Sequence, residues 1–387
     1  MKITIIHHVS NVGGGTIGLV DICRMLSNKN DVTVIMPERN SKELSDMIKP
    51  YAKIKKFTGI MPQISYYSGS NNIISFGFIK GFFVKKEDRC EIVHLIKESD
   101  PDIVIANSIV QCKMGQYIKN LDAKKIIYIR ETFRENIISK FMIKIIEKYF
   151  DAVLCISPYE KKYAEFSIPC KVVTDCYQIS GNKYENPYLN NDKYKVLFMG
   201  GDSNIKGLEI LLKSIDFIKN RDVEFHIIGN VNLDTSKIHN RCIHLKEVKR
   251  IELIRDLSNK YKDNIFYHGF VNETQSYVFN SDVVIFPSIY AHQARPAIEA
   301  GYASKPVIIS GFKQTECFFE NNENCLTFEP KNSVDLAKKI DELSTNAEKT
   351  HCLGRNNFVR INKEHNFQIE EQKLNKFVNQ IMLNREE

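Results

Sequence analysis

The chain has no CxxC pair among its ten cysteines and no cysteine spacing that resembles a zinc site. With 387 residues it has no need of a disulfide framework. Cys23, Cys155 and Cys325 fall inside apolar segments, so the thiols read as small core hydrophobes in a reducing compartment. No run reaches the roughly 18 apolar residues that span a bilayer. The opening MKITIIHH leads straight into a strand and a glycine loop, without the apolar core and cleavage site of a signal peptide. There is no disordered tract, and a net charge of +7 is modest for this length. That balance demands no nucleic acid and suits an anionic small molecule or an anionic membrane surface. The expectation is a cytoplasmic protein, soluble or peripheral at the inner face of the membrane, that takes no nucleic acid.

What is present is an alternation of apolar strands and amphipathic helices, restarted once. Strands are expected at Ile3–Ile6, Val32–Met36, Ile103–Ala106, Ile126–Ile129 and Ala152–Ile156, with helical patterns between them. A polar stretch without periodicity, 178–193, reads as a linker. The second half repeats the scheme at Lys195–Met199, Glu224–Ile228, Ile265–Tyr267, Val283–Phe286 and Val307–Ile309, with a helix from about Gly207 to Lys219. Such alternation predicts parallel sheets covered on both faces. The division is therefore residues 1–177, the linker 178–193, residues 194–365 and a C-terminal helical stretch within 366–387. The fold class is α/β, two Rossmann-like doubly wound domains with ligands beyond the carboxyl ends of the strands.

The stretch Ser281 to Pro330 is the most informative. After Pro287 an irregular loop precedes a helix that opens at Arg295, Pro296 and Ala297 and carries Glu299. A helix N-terminus beyond a parallel strand suits a phosphate, and a carboxylate one turn on suits a pair of sugar hydroxyls. Each half also has a glycine loop after its first strand. Gly13-Gly14-Gly15-Thr16-Ile17-Gly18 satisfies GxGxxG, and Glu38 lies 20 residues later. Those are the formal elements of a dinucleotide site, so an NAD(P)-dependent oxidoreductase stays open as an alternative. Gly200-Gly201-Asp202-Ser203-Asn204-Ile205-Lys206-Gly207 is not a Walker A loop, because its Lys–Gly order is reversed.

The run PSIYAHQARPAIEAGYASKPVIIS, continued by Gly311, Glu316, Asn324, Leu326 and Pro330, resembles the nucleotide-sugar signature of the family 4 glycosyltransferases. The resemblance implies the GT-B architecture of two facing domains, with the C-terminal helix returning across them. It also implies metal-independent transfer from a nucleoside diphosphate sugar, with retention at the anomeric carbon. The acceptor would be a hydroxyl of a glycan or lipid-linked molecule, with no further cofactor. It implies a ribose contact for Glu299 and a diphosphate contact for Lys206. Gly14, Gly15 and Gly200 would bring backbone close to the donor. Two of the family's groups are missing: its first signature glutamate is Ala291 here, and the arginine of its second glycine loop is Gly201. His292 or Gln293 is expected to supply the lost sugar contact, and Arg295 or Lys313 the lost charge. A non-catalytic relative that binds a nucleotide sugar is the second alternative.

Arg130 and Glu131 follow the strand Ile126–Ile129 where many family members carry a histidine, and are expected at the acceptor or donor phosphate. Asn107 and Ser108 are acceptor-side positions. Asp100-Pro101-Asp102 matches DxD but precedes a strand and reads as structural, as does His268. His7 and His8 end the first strand, where they could line the ligand cleft. The helical run 134–149 sets Lys140, Lys144 and Lys148 in one stripe, read as a solvated face with a membrane surface as the alternative. The segment from Ile74 to Lys86, rich in phenylalanine, reads as core or as a contact for a lipid-linked acceptor.

Overall fold

The computed structural model describes residues 1–70, 83–177, 184–189, 191–237 and 245–383. The chain forms two compact units, Met1–Cys176 with His365–Glu387, and Tyr177–Glu364. Residues 74–82 of the phenylalanine-rich segment, and 178–183 and 190 of the linker, lie outside the described residues.

The first unit has strands Lys2–Ile6 (β1), Asp31–Pro37 (β2), Lys53–Phe57 (β3), Ile103–Ala106 (β4), Lys124–Ile129 (β5), Ala152–Cys155 (β6) and Cys170–Val172 (β7). They form one parallel sheet in the order β3-β2-β1-β4-β5-β6-β7. Successive residues feed opposite layers, which is why the strands are apolar throughout. Ile3, Ile5, Ile103 and Ile105 enter the core with Leu19 and Ile22 of the helix Gly14–Ser27. Ile6 and Val104 face the other way, toward Ile92 and Ile96 of the helix Lys86–Glu98. The C-terminal helix Phe367–Leu383 buries Leu374, Phe377, Val378 and Ile381 in the first of these layers. Asn375 Nδ2 donates to Met25 O at 2.8 Å, and buried Glu370 accepts from Thr174 N at 2.8 Å. The helix expected to cross both domains thus has its buried face in this unit.

The second unit has Tyr194–Met199 (β8), Val223–Ile228 (β9), Ile265–Gly269 (β10), Val283–Phe286 (β11), Val307–Ser310 (β12) and Leu326–Phe328 (β13). The sheet is parallel in the order β10-β9-β8-β11-β12-β13. The helix expected to reach Lys219 stops at Ser214 and tightens into a 3-10 turn, Ile215–Phe217. The Asp341 carboxylate takes the N–H groups of Lys219 and Asn220, each at 3.0 Å, and holds the chain out of the helix. In the described part of the linker, Tyr188 donates to Tyr277 O at 2.7 Å and sets its ring 4.3 Å from His226. His268 hydrogen-bonds His226 at 3.1 Å and so has the structural role expected.

In each sheet the strand order reverses once, between β1 and β4 and between β8 and β11. Those are the points where a doubly wound fold leaves room for a ligand. The helix Arg295–Tyr302 after β11 is held from behind by the helix Ala347–Glu364. The two approach closely because Gly301 and Gly354 carry no side chain. A Cβ at Gly354 would stand 2.2 Å from Ser304 O, and one at Gly301 2.4 Å from Ile361 Cγ1. Gly354→Ala is therefore expected to cost about 2 kcal/mol by forcing the helices apart. Urea unfolding would show a lower midpoint with an unchanged slope; an unchanged midpoint would mean that Ser304 yields freely.

Candidate functional site

In the second unit Gly200 and Gly201 both direct their N–H groups at Ile228 O, at 3.1 Å. Gly201 has φ +56°, and a Cβ there would stand 2.5 Å from Asn230 O. The position where the resemblance calls for arginine therefore accepts only glycine without a backbone shift. The loop continues as a 3-10 turn, Asn204–Lys206, ended by Gly207 at φ +79°. A Cβ at Gly207 would come within 1.8 Å of Pro287 O, and Ile289 N donates to Ile205 O at 3.1 Å. The loops after β8 and β11 thus touch backbone to backbone at the switch point.

This contact unites Lys206 with His292, 86 residues apart, with Nζ 3.0 Å from Nε2. His292 Nδ1 lies 3.0 Å from Tyr290 O, the ammonium sits 5.1 Å over the Phe286 ring, and the imidazole is 4.9 Å from that same ring. Burial lowers the Lys206 pKa to about 8. Burial, and then the charge of Lys206, lowers His292 to about 3. Among the described residues no carboxylate pairs with Lys206.

Glu299 is buried on the helix opened by Arg295 and Pro296. Its Oε1 accepts from Arg295 Nε at 3.1 Å and its Oε2 from Thr274 Oγ1 at 3.3 Å. Burial raises its pKa against the pull of Arg295. Ala297 is on the core-facing side of the same helix, and Gln293 presents a buried Nε2 with no partner among the described residues. Lys313 is exposed on the loop after β12.

In the first unit the groups following β1, β4 and β5 converge. Asn107 Nδ2 lies 3.2 Å from His7 Nδ1, and both residues are buried. His7 Nε2, His8 Nδ1 and Asn107 Oδ1 have no partner among the described residues. Glu131 accepts from Ser108 Oγ at 2.5 Å and Ile109 N at 3.0 Å, and burial raises its pKa. Arg130 turns elsewhere: Nη2 meets Asp175 Oδ1 at 2.5 Å, and the guanidinium lies 4.9 Å over the Tyr128 ring. Gly18 leaves room for it, since a Cβ there would stand 1.8 Å from Arg130 Nη2. Gly14 begins the helix, and a Cβ at Gly15 would meet open space. Thr16 Oγ1 closes the turn by accepting from Gly13 N at 2.7 Å.

Sequence reasoning passed over Asp175, Thr274 and Glu160. Glu160 is fully buried, accepts from Thr132 Oγ1 at 3.0 Å and from Ser157 Oγ, and is raised by burial to about 7. The Ser157…Glu160 spacing of a capping box was its available signal. Asp100 and Asp102 instead bind Lys2 Nζ and Lys2 N, both at 2.8 Å, at the amino ends of β1 and β4. Among the described residues no trio of His, Cys, Asp or Glu is placed to hold a metal ion.

Two parallel-sheet α/β units of this kind are the domains of the GT-B glycosyltransferases. Anabaena HepE (Alr3699), solved with UDP-glucose, superposes with a TM-score of 0.75 at 15% identity, covering 98% of this chain and 100% of that one. A Staphylococcus aureus TarM variant, solved with UDP, α-GlcNAc-glycerol and fondaparinux, gives 0.70 at 15%, covering 98% and 99%. Residues 182–360, most of the second unit, match the family model of glycosyl transferases group 1. The uncharacterised glycosyltransferase MJ1178 of Methanocaldococcus jannaschii is 24% identical over 304 residues, 78% of this chain and 76% of its own. CapM of Staphylococcus aureus, a capsular polysaccharide biosynthesis glycosyltransferase, is 24% identical over 197 residues, 50% and 48% of the two chains.

A buried ammonium without a counter-charge costs stability. The folded pKa of Lys206 is about 8 against 10.5 for an ordinary lysine. Between those values the unfolded chain holds the extra proton, so stability rises with pH there, and the full cost is present below pH 8. Lys206→Met should accordingly raise the thermal midpoint at pH 7, with the gain shrinking above pH 8. A variant less stable than the parent at pH 7 would show that the ammonium is held favourably.

Proposed function

We propose that this protein transfers a glycosyl unit from a UDP- or GDP-linked sugar to a hydroxyl of a glycan or lipid-linked acceptor, in the synthesis of a surface polysaccharide or glycoconjugate. Lys206 carries the reading: it is a buried cation whose hydrogen-bond partner is a neutral ring, so its charge is available to an incoming anion. Placed at the donor diphosphate, that charge would stabilise the departing nucleoside diphosphate. Glu299 would take the ribose hydroxyls, with Arg295 and Thr274 fixing the carboxylate. The family-model match over residues 182–360, and the UDP and UDP-glucose complexes of structural neighbours, support the donor class. The relationship to CapM supports the polysaccharide setting.

Transfer would retain the anomeric configuration without a metal ion, the departing phosphate taking the acceptor proton. His7, Asn107, Ser108 and Glu131 would serve the acceptor side. Arg130 would act at one remove, since Asp175 already engages it. The test is calorimetric titration with UDP, GDP and NAD, followed by a screen of nucleotide sugars for slow donor hydrolysis. One of UDP and GDP should bind, NAD should not, and Glu299→Ala should weaken that binding about tenfold, the loss of a hydrogen bond to a charged group. Unchanged binding in Glu299→Ala would overturn the ribose assignment, and donor binding without turnover on any acceptor would favour a non-catalytic role.

We also place the membrane contact on the outer face of the helix Ile137–Tyr149. Its inner face buries Met142, Ile143 and Ile146, yet Ile137 is 81% and Phe141 59% exposed, beside exposed Lys140, Lys144 and Lys148. Glu147 turns away to Ser167, accepting from N and Oγ at 2.7 Å. Two apolar anchors among three exposed lysines match an anionic lipid surface. Exposed Glu135, which accepts from Tyr159 Oη at 2.7 Å, lies at the start of the helix. Sedimentation with phosphatidylglycerol vesicles should carry the protein down, and phosphatidylcholine vesicles should not. Lys140→Glu with Lys144→Glu should abolish the effect; equal recovery with both lipids would remove this contact.

A further inference from the structure

The Lys206–His292 pair has a direction built into it. Tyr290 O can only accept, so His292 Nδ1, 3.0 Å away, carries the ring proton. His292 Nε2 then presents its lone pair, and the ammonium of Lys206 at 3.0 Å donates to it. The ring is held in turn against Phe286, which also lies under the ammonium. Lys206 is thus held by an imidazole acceptor and an aromatic face, and neither cancels its charge. The hydrogen bond from Ile289 N to Ile205 O, with Gly207 leaving room for Pro287 O, keeps the two loops in register beneath the pair.

We propose that His292 is a positioning residue for Lys206: a neutral acceptor that fixes the ammonium where the donor diphosphate binds and leaves its charge uncompensated. This rests on the reading of Lys206 as the diphosphate contact. It differs from a sugar contact by His292, because the acceptor nitrogen is spent on the lysine. A carboxylate in the same place would hold the lysine equally well and would neutralise the charge that the diphosphate needs.

The test compares affinity for UDP with uridine, and GDP with guanosine, by calorimetry on the full chain. His292→Ala should weaken nucleoside diphosphate binding about tenfold, as expected for one hydrogen bond to a charged group, with nucleoside binding unchanged. His292→Gln, whose amide oxygen can accept from the ammonium, should recover binding to within about threefold. His292→Glu should bind the diphosphate no better than His292→Ala. Loss of diphosphate and nucleoside binding together in His292→Ala and His292→Gln would mean a merely structural ring and would overturn the proposal. So would wild-type affinity in His292→Ala. Lys206→Ala separates the two levels. If it leaves the diphosphate preference intact, the site reading itself fails; if it removes the preference and His292→Ala does not, only the role of His292 fails.

Discussion

A parallel sheet covered on both faces can carry charge only where its strands end. Every group of chemical interest in this protein obeys that constraint. Asn107 and Ser108 follow β4, Arg130 and Glu131 follow β5, Lys206 follows β8, and His292 and Glu299 follow β11. The strands before them are apolar because helices need both faces. The loop after β8 carries glycine because backbone must pass close to backbone: Gly201 against Asn230, and Gly207 against Pro287. Position 201 shows the cost of that packing. The backbone that lets the glycine loop turn is the one that leaves no space for an arginine.

Buried charge is treated in two ways. In the first, charge is matched: Arg130 meets Asp175, Glu131 receives two donors, and Glu160 receives two hydroxyls. Paired and hydrogen-bonded charges of this kind hold a structure in register, and only the unshared lone pairs of a carboxylate such as Glu131 remain for a ligand. In the second, Lys206 is matched only by a neutral imidazole. Arg295 and Glu299 lie between these extremes, one turn apart on a single helix. Their carboxylate is oriented by Arg295 and Thr274 and keeps further lone pairs for hydroxyl donors. The contrast separates groups that build the scaffold from groups poised for an anion or a diol.

The central strands were legible because an apolar run flanked by helical periodicity has few other readings. Of the four edge strands, only β10 was, expected at Ile265–Tyr267. β3 is KIKKF, whose three lysines mask a strand exposed on one side, and β7 and β13 have three residues each. The helix after Gly207 was read too long because what ends it is Asp341, more than a hundred residues away. Site residues divide in the same manner. Glu299 and Lys206 announce themselves through local context, a helix start and a glycine loop. Arg130–Asp175 and Lys206–His292 are long-range pairings that no spacing rule reveals.

The N-terminal GxGxxG shows why a literal motif needs its surroundings. In a dinucleotide site the last glycine permits close helix–strand packing beside a bound pyrophosphate. Here Gly18 instead opens the space that the Arg130 guanidinium occupies, with Asp175 Oδ1 also 2.7 Å from where a Cβ would stand. Gly18 is therefore explained by an internal ion pair under the helix Gly14–Ser27, while a side chain at Gly13 or Gly15 would crowd nothing. Glu38 adds nothing to the contrary: its backbone N–H continues the ladder to Phe57 O at 2.9 Å, just past the end of β2. Of the motif's three glycines only Gly18 is required by a close neighbour, and that neighbour is set by residues far along the chain.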